Sequence, residues 1–381
     1  MIPIGRSRMA AASLAAALLV ATAACGTSNP SSTAKAQGDS ACAKAAADRL
    51  DAAQSPAKMS LPKESVDASQ AQGKKVWFIA AGMQFPLVKT LAEEFEEAAE
   101  VAGLDGTVFD GKASVPTWVE GVKQAVAQKA DVIILDGQDP DVLTGPLRDA
   151  QRAGIPVVSF AAYARPDLKP ADGPISVYTG LDLEAIGRMQ ADYALANSGC
   201  QGGHLVLTSD ISKTLQAMAS TAQKSIETHC ADCRVQVQTV NSQSFNVDTP
   251  QAARTAVQKD PDLRYIIAPD IYSMLVVPAL KQLGPAAEDV GIIGYQGDPP
   301  NLQLVKAGGH QVADFSYPPL GYVSWTLVDL SLRALAGSLS SEPILFDSHL
   351  VTKASFDAGD PFAEFGDYKS GYTQLWNVGA K

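Results

Sequence analysis

Short apolar runs alternate with segments of helical period along most of the 381-residue chain. Runs of strand length lie at Val76–Ala80, Val132–Leu135, Ile155–Phe160, Leu205–Leu207, Val235–Val240, Tyr265–Ala268 and Val290–Tyr295. The segment from about Pro86 to Ala102 places Leu87, Leu91 and Phe95 at steps of four residues, which predicts an amphipathic helix. Continuous apolar strands separated by helices are typical of a parallel sheet that is covered on both faces.

The strand-length runs fall into two series, which meet between about Ala161 and Thr179. Each series alternates strand and helix, so the sequence predicts an α/β protein with two doubly wound lobes. Ligands of open parallel sheets bind beyond the carboxyl ends of the strands. Two facing lobes would share one such cleft, and the pattern therefore favours a protein that binds a small molecule there.

The first 25 residues carry the pattern of a bacterial secretion signal. Arg6 and Arg8 precede an apolar run from Met9 to Ala21, and small residues at positions 23 and 24 form a cleavage site before Cys25. A cysteine at this point resembles a lipobox, so we expect residues 1–24 to be removed and Cys25 to be lipidated. An ordinary cleaved signal with an incidental cysteine is the alternative.

Residues 25–73 are expected to form a lipid tether followed by an N-terminal helix near Ala41–Ala53. The remainder of the sequence contains no apolar stretch of about 18 residues, the minimum for a membrane-spanning helix. The lipid would then be the protein's sole membrane attachment, at the outer face of the cytoplasmic membrane.

Four cysteines remain once Cys25 is set aside, namely Cys42, Cys200, Cys230 and Cys233. An even number outside the cytoplasm favours disulfides. The C-x-x-C spacing of the last two also suggests zinc or redox chemistry, but no ligand set accompanies it, and the pair follows a predicted helix instead of opening one. We expect Cys200 to pair with Cys230 or Cys233, with the state of Cys42 left open.

Charge and motifs exclude several classes of function. The net charge of −11 argues against nucleic acid, which requires clustered lysines and arginines. The sequence lacks a Walker loop, a G-x-S-x-G elbow and an H-E-x-x-H helix, and its four histidines are scattered. Asp136 and Asp139 form a carboxylate pair for which acid–base catalysis is an alternative. We expect a binding protein, not an enzyme, with neither cofactor nor metal.

Residues from about 75 to 350 resemble the type I periplasmic binding proteins, specifically the ribose- and galactose-binding group of ABC importer receptors. Five stretches carry the resemblance in the family's order: Ala127–Ile134, Ala153–Val158, Asp260–Asp270, Gly291–Tyr295 and Gly308–Gly321. Each stretch is a weak signature alone, and their shared order over most of the chain makes the resemblance specific.

The resemblance implies two lobes joined by a three-strand hinge that closes on ligand. We expect lobe 1 at residues 74–162 and 318–352, lobe 2 at 163–317 and a C-terminal tail at 353–381. It also implies a monomer that delivers a solute to an ABC permease. A sensory lipoprotein that presents its ligand-bound form to a membrane partner is the alternative, because the sequence carries no motif for either partner.

The family pattern, together with the expected strand ends, places candidate ligand-binding residues. They are Gln84, Phe85, Trp118, Asp136, Tyr163, Phe245, Asp270, Gln296 and Tyr317. Phe85 matches a ring-stacking phenylalanine of sugar-binding relatives, and Asp136 stands where relatives often have asparagine. Trp118 could equally belong to the core, and the Phe85 side chain could simply pack against the start of the following helix as a hydrophobic staple.

The chain also departs from the sugar-binding pattern. Ala161-Ala162 replaces an Asp-Arg pair, Pro269 an asparagine and Gln296 an aspartate, and Gln216 lies near the position of a missing arginine. Charge-assisted hydrogen bonds from such groups contribute roughly 1.5–3 kcal/mol each to holding a polyol. We therefore expect a ligand that is less polar or more aromatic than an unmodified sugar, or a sugar derivative.

Overall fold

The computed structural model describes residues 40–54, 59–165 and 173–379. Gly38–Lys381 form one compact unit. The signal peptide, Cys25 and the tether up to residue 39 lie outside the described residues. Within the described residues, no helix is both long and apolar enough to cross a membrane.

The first lobe is built on a six-stranded sheet. Its strands are β1 (Lys75–Ala80), β2 (Asp105–Asp110), β3 (Val132–Asp136), β4 (Val157–Phe160), β5 (Val177–Gly180) and β11 (Ile344–Leu345). They are parallel and lie in the order β2-β1-β3-β4-β5-β11. The helices around them are α2 (Pro86–Ala102), α3 (Val115–Ala127), α4 (Thr144–Arg152), α10 (Leu320–Leu335) and α12 (Tyr368–Leu375).

The second lobe repeats this plan. Its strands are β6 (Gly203–Ser209), β7 (Arg234–Val240), β8 (Leu263–Ile267), β9 (Gly291–Gln296), β10 (Gln311–Ser316) and β12 (His349–Thr352), in the order β7-β6-β8-β9-β10-β12. β12 alone runs antiparallel to its neighbour in this sheet. The helices are α1 (Ser40–Ala53), α5 (Leu183–Ser198), α6 (Lys213–His229), α7 (Phe245–Lys259), α8 (Asp270–Leu283), α9 (Pro299–Ala307) and α11 (Lys353–Ala358).

The apolar pattern explains which strands are central. All five residues of β3 and all four of β4 are buried, as a strand covered by helices on both faces requires. The predicted helix coincides with α2, and its residues Leu87, Leu91 and Phe95 face the core. The α/β architecture with two doubly wound lobes is confirmed.

Three passages lead from one sheet to the other through the interior of the chain, after β5, after β10 and after β11, which matches the expected three-strand hinge. The chain also passes between the lobes from α1 to β1 and from α11 to α12. The lobe boundaries differ from those expected at the residue level. β5 pairs with β4, so the first lobe continues through Gly180. β12 pairs with β10, so residues 349–352 belong to the second lobe.

The expected C-terminal tail is folded against both lobes. α11 packs beside β12 in the second lobe, whereas α12 packs on α10 in the first. Trp376, at the end of α12, is fully buried and stacks on Trp325 with ring centroids 5.2 Å apart. The N–H groups of Val66 and Ala68 donate to the carbonyls of Leu375 and Trp376. The segment around residues 66–68 and the C-terminal helix α12 therefore complete the first lobe together.

The prediction that Cys200 pairs with Cys230 or Cys233 is wrong. Cys42 in α1 bonds to Cys200, and Cys230 bonds to Cys233. The physical reason is that α1 lies along α5, which ends just before Cys200. The Cα atoms of Cys42 and Cys200 are 6.1 Å apart, within the range that a disulfide spans.

Candidate functional site

A cavity lies between the two lobes, at the carboxyl ends of both sheets. It encloses about 160 Å³, close to the roughly 150 Å³ of an engineered cavity that holds one benzene molecule. Its walls are mainly apolar and come from residues that follow or end β1, β3 and β4 in the first lobe and β6 to β10 in the second. The cavity therefore has the size and position expected for a site that binds one small ring.

Ala81, which follows β1, organises the wall of the first lobe. Its N–H donates to Oδ2 of Asp136 over 3.2 Å, and its carbonyl accepts from Nε1 of Trp118 over 2.9 Å. Gln138 fixes the same loop, because its Oε1 accepts from the Asp136 N–H and its Nε2 donates to the Ile79 carbonyl. A carboxyl group and an indole are thereby held side by side at the cleft.

Asp136 is the last residue of β3, and its exposed fraction is 3%. Burial raises the pKa of its carboxyl from 3.8 to about 6, against the smaller opposing effect of the Ala81 N–H. Removal from water disfavours the charged form of an acid, which is the direction observed here. The carboxyl loses its proton as the pH rises through about 6.

Aromatic rings from the two lobes meet across the cavity. Phe85 precedes α2 in the first lobe, Phe245 begins α7 in the second, and their ring centroids are 6.2 Å apart. Phe160 at the end of β4 lies 5.4 Å from the ring of Tyr317, which follows β10. The Tyr295 hydroxyl donates to the Tyr317 hydroxyl over 2.8 Å. These rings offer flat apolar surfaces to a bound ring.

Three buried carboxyl groups cluster at the second-lobe wall, where Asp298 lines the cavity and Asp270 and Asp314 lie behind it. Asp270 accepts from the Asp298 N–H over 2.8 Å, and Gln311 donates to both Asp270 and Asp314 over 3.4 Å. Burial and the Asp314 charge raise the pKa of Asp298 to about 7. Burial, followed by the neighbouring acid, also raises the pKa of Asp270, and burial raises that of Asp314. Neighbouring like charges and burial both disfavour ionisation, so these carboxyl groups hold their protons to higher pH than free aspartates do.

Two residues of the cavity wall have an unusual backbone. Ala161 has φ 54° and Gln296 has φ 126°, conformations that side chains other than glycine rarely adopt. Ala161 follows β4 and Gln296 ends β9, so each lobe contributes one. Strained residues of this kind cluster at functional sites, where the surrounding structure holds them in place.

The lobes are in contact on the rim of the cavity. Lys213, at the start of α6, lies 2.7 Å from Oδ2 of Asp139 and 3.0 Å from Oδ2 of Asp141, both in the first lobe. Ile211 of the second lobe packs against the apolar core of the first. The structure therefore corresponds to a closed cleft.

The structure brings most of the predicted site residues to this cavity. Those that line it are Phe85, Trp118, Asp136, Phe245, Gln296 and Tyr317. Gln84 is exposed beside the entrance to α2. Tyr163 instead packs on Tyr178, with ring centroids 4.9 Å apart, and Asp270 is fully buried in the carboxyl cluster.

The cavity is also lined by four residues that were not among the candidates predicted from the sequence, namely Phe160, Ser209, Ile211 and Tyr295. Three of them end a predicted strand or lie within two residues of its end, and Ile211 lies four residues beyond one. The rule that ligands bind at the carboxyl ends of strands could have found them. The same rule would not have found Leu183, which also lines the cavity, because Leu183 begins α5 after the first passage between the lobes.

The sequence profile of the periplasmic binding protein domain matches residues 70–337, more than two thirds of the chain. The chain belongs to the periplasmic binding protein family. The resemblance expected from the sequence is thereby confirmed. Among curated proteins, this periplasmic binding protein is 20% identical over 249 residues to the ribose import binding protein of Bacillus subtilis (strain 168). The match covers 64% of this chain and 78% of that relative.

Solved structures support the same fold. A Caulobacter myo-inositol binding protein, solved with myo-inositol bound, matches with a TM-score of 0.66 and 18% identity over 76% of this chain and 97% of its own. A periplasmic solute binding protein from Actinobacillus succinogenes 130z, with bound D-allose, matches with a TM-score of 0.64 and 18% identity over 75% and 99%. By their names, the ribose, myo-inositol and D-allose relatives of this chain are solute-binding proteins and not enzymes.

Proposed function

We propose that the protein captures a small ring-containing solute outside the cytoplasmic membrane and delivers it to an ABC permease. The observation that carries this proposal is the cavity of about 160 Å³ at the strand ends of both lobes. Its walls come from both lobes, so a bound ring would be surrounded and would stabilise the closed form. The names of its relatives, which include a ribose import protein and a myo-inositol binding protein, support transport of a ring compound.

The lining supports a ligand that is less polar than an unmodified sugar. Apolar and aromatic side chains such as Phe85, Trp118 and Phe245 dominate the lining. Ala161 and Pro269 also line it, at positions where the family resemblance implies polar groups. A buried hydroxyl without a partner costs roughly 1–3 kcal/mol. A compound with several hydroxyl groups would therefore bind less favourably here than a ring with few of them. Micromolar or tighter binding of ribose, glucose or galactose in isothermal titration would contradict this refinement.

We also propose that the mature protein is a monomer attached by a lipid on Cys25 to the outer face of the membrane. The signal-like residues 1–24 and the small residues before Cys25 support this attachment. A Cys25→Ser variant should appear in the soluble fraction of cells, whereas the wild-type protein should sediment with membranes. Equal amounts of both proteins in the membrane fraction would contradict the attachment.

Ligand capture is tested by a thermal-shift screen of sugars, polyols, aromatic acids and cyclic amines, followed by titration of each hit. A ligand that binds the native state raises the melting temperature by an amount that depends on RT ln(1 + [L]/Kd). The double variant Phe85→Ala, Phe245→Ala should lose the shift. The control is Phe356→Ala, in α11 outside the cavity lining, which should retain it. A shift that survives the double variant would place the ligand elsewhere.

Delivery is tested in cells that lack the protein. Uptake of the labelled hit should fall in these cells and return when the wild-type protein is supplied, but not when the Phe85→Ala, Phe245→Ala variant is supplied. Unchanged uptake in cells without the protein would contradict the import role even if capture is confirmed.

A further inference from the structure

The charged groups of the cavity are unbalanced. Among the described residues that line it, two are carboxylic acids, Asp136 and Asp298, and none is lysine, arginine or histidine. Lys213, a basic side chain at the rim, is already paired with Asp139 and Asp141. The protein thus brings acid groups, but no positive charge of its own, to the wall of the cavity.

Asp136 has little compensation for its charge. Its exposed fraction is 3%, and the Ala81 N–H at 3.2 Å donates to Oδ2. Burial and this hydrogen bond act in opposite directions on the pKa of the carboxyl, and burial prevails. Taking a carboxylate out of water is costly unless a counter-charge or several donors replace the lost solvation. A ligand that carries a positive charge would supply what the protein does not.

Asp298 is in a different situation. Its N–H is bonded to Asp270, and its carboxyl lies near Asp314 in a cluster where burial and mutual repulsion favour protonation. The protons of that cluster already reduce its negative charge. Asp136 lies outside that cluster, and among the described residues the pKa of its carboxyl is shifted by burial and by the Ala81 N–H, with no contribution from another acid. It is therefore the carboxyl group of the cavity wall that a cation is expected to meet in its charged form.

The surfaces next to Asp136 suit an organic cation and not a metal ion. Ala81 holds the indole of Trp118 beside the carboxyl, and the Tyr317 ring lies against Phe160 close to the same strand end. Aromatic faces attract ammonium groups and also pack against the carbon skeleton that carries them. Within the described residues, no group of three acidic, histidine or cysteine side chains could hold a metal ion.

Partial positive charges from helix N-termini do not replace a full counter-charge. A helix N-terminus carries roughly half a positive charge. Of the helices that supply cavity-lining residues, α7 and α8 have an aspartate in the first turn, whereas α2, α3 and α6 have no acid there. A cationic ligand would add a full charge to these partial ones.

We propose that the cleft selects a ring compound that carries a protonated amine, which pairs with Asp136 while the ring lies among the aromatic side chains. This inference rests on the proposed solute-binding function and names the ligand class of the same site. A hydroxyl group in the amine's place could still donate a hydrogen bond to Asp136, but it would leave the buried negative charge unneutralised. Amines should therefore bind more tightly than alcohols of the same shape.

Matched amine and alcohol pairs test the proposal on the full chain. The probes are cyclohexylamine and cyclohexanol, benzylamine and benzyl alcohol, and D-glucosamine and D-glucose, titrated at pH 7.5. We expect the amine of at least one pair to bind with a Kd at least about tenfold lower than its alcohol. Asp136→Asn keeps the size of the side chain and should reduce that ratio to within about twofold. Asp105→Asn, an exposed change of equal charge at the start of β2, should retain it.

Several outcomes overturn the inference. Equal or weaker binding of the amine in every pair would do so, as would an amine preference that survives Asp136→Asn or is lost in Asp105→Asn. Failure of all three amines to bind also counts against it. If neutral probes bind and this binding is lost in Phe85→Ala, Phe245→Ala, the amine inference fails while the proposed capture function stands. If no compound binds at the cleft, both fail.

Discussion

Asp298 illustrates how a single buried carboxyl couples the cleft to pH. It lies at the start of α9 with an exposed fraction of 1%, and its Oδ1 has no hydrogen-bond partner among the described residues. The neighbouring Asp270 and Asp314 are also buried. The energetic consequence is a folded state that holds its protons more tightly than the unfolded chain does.

The sign of the pH effect follows from the raised pKa of Asp298, about 7 against 3.8. A carboxyl whose pKa is higher in the folded state contributes stability below pH 4 and loses that contribution as the pH rises through 7. We predict that Asp298→Asn, which cannot ionise, gains stability relative to wild type between pH 5 and pH 8. The gain should be on the order of 2 kcal/mol, from about 1.4 kcal/mol per pKa unit.

Urea unfolding of both proteins at pH 5 and pH 8 measures this difference. Asp105→Asn is the control, because Asp105 is exposed, and its stability relative to wild type should not vary with pH in this range. If the free energies of unfolding of wild type and Asp298→Asn depended on pH in the same way, Asp298 would be equally ionised in the folded and unfolded states. That result would contradict the prediction.

Some site residues could be predicted from sequence because strand position determines them. Asp136 ends an apolar run, and Phe85 follows one by a short loop, so both were expected at the cleft and both line it. Asp270 and Tyr163 could not be placed correctly, because the direction of a side chain depends on tertiary contacts. Asp270 directly follows Pro269, which lines the cavity, but the Asp270 side chain turns into the buried carboxyl cluster.

At the level of elements, α1 shows the limit of local sequence information. Its helical composition predicts residues 41–53, and the helix spans Ser40–Ala53. Its partner α5 lies far away in sequence, and their contact includes an ion pair in which Arg49 lies 2.5 Å from Asp192. Without that packing, the disulfide from Cys42 to Cys200 could not be distinguished from the other pairings.

The two disulfides should differ in their effect on stability. The bond between Cys42 and Cys200 spans 158 residues, whereas the bond between Cys230 and Cys233 spans three. In the chain-entropy description, closing the longer loop restricts the unfolded chain more, by up to about 3 kcal/mol. We predict that Cys42→Ser, Cys200→Ser lowers the free energy of unfolding more than Cys230→Ser, Cys233→Ser does.

Chemical denaturation of both double variants measures the comparison, with the second serving as the control for loss of two cysteines. The prediction fails if the two variants are equally stable, or if loss of the shorter bond is the more destabilising change.

The edge strand β2 shows one reason why the apolar pattern missed part of the first sheet. β2, with the sequence Asp-Gly-Thr-Val-Phe-Asp, has no fully buried residue, and its two charged ends and glycine hide the apolar signal. β3 and β4 were found because they are buried on both faces and read as continuous apolar runs. The order of strands requires non-local pairing, for which the family resemblance was the useful guide.

For the whole molecule, function depends on the balance between open and closed lobes. Lys213 joins the lobes through Asp139 and Asp141 on the rim of the cavity, at distances of 2.7 and 3.0 Å. The hydrogen bonds of these carboxylates raise the pKa of the Lys213 ammonium, so it remains charged at neutral pH. An ion pair present in the closed form alone shifts the equilibrium toward that form.

We predict that Lys213→Ala weakens ligand binding by a few-fold and increases the radius of gyration of the ligand-free protein. The effect should be small, because exposed ion pairs contribute little, and it should diminish at high salt. Lys353→Ala, which breaks the ion pair to Asp357 within α11, is the matched control and should leave the affinity unchanged. Titration and small-angle X-ray scattering measure the two effects. Equal affinities of wild type and Lys213→Ala would contradict a role for this pair in closure.

The central claim is that one small molecule is held between the two lobes, and native mass spectrometry of the protein isolated from its own host tests it most directly. The account predicts one bound small molecule per chain, released on denaturation and identifiable by its mass. Occupancy should be lost in Phe85→Ala, Phe245→Ala and retained in Phe356→Ala. A protein that carries no small molecule, or one whose occupancy is unaffected by the two cleft substitutions, would contradict the account.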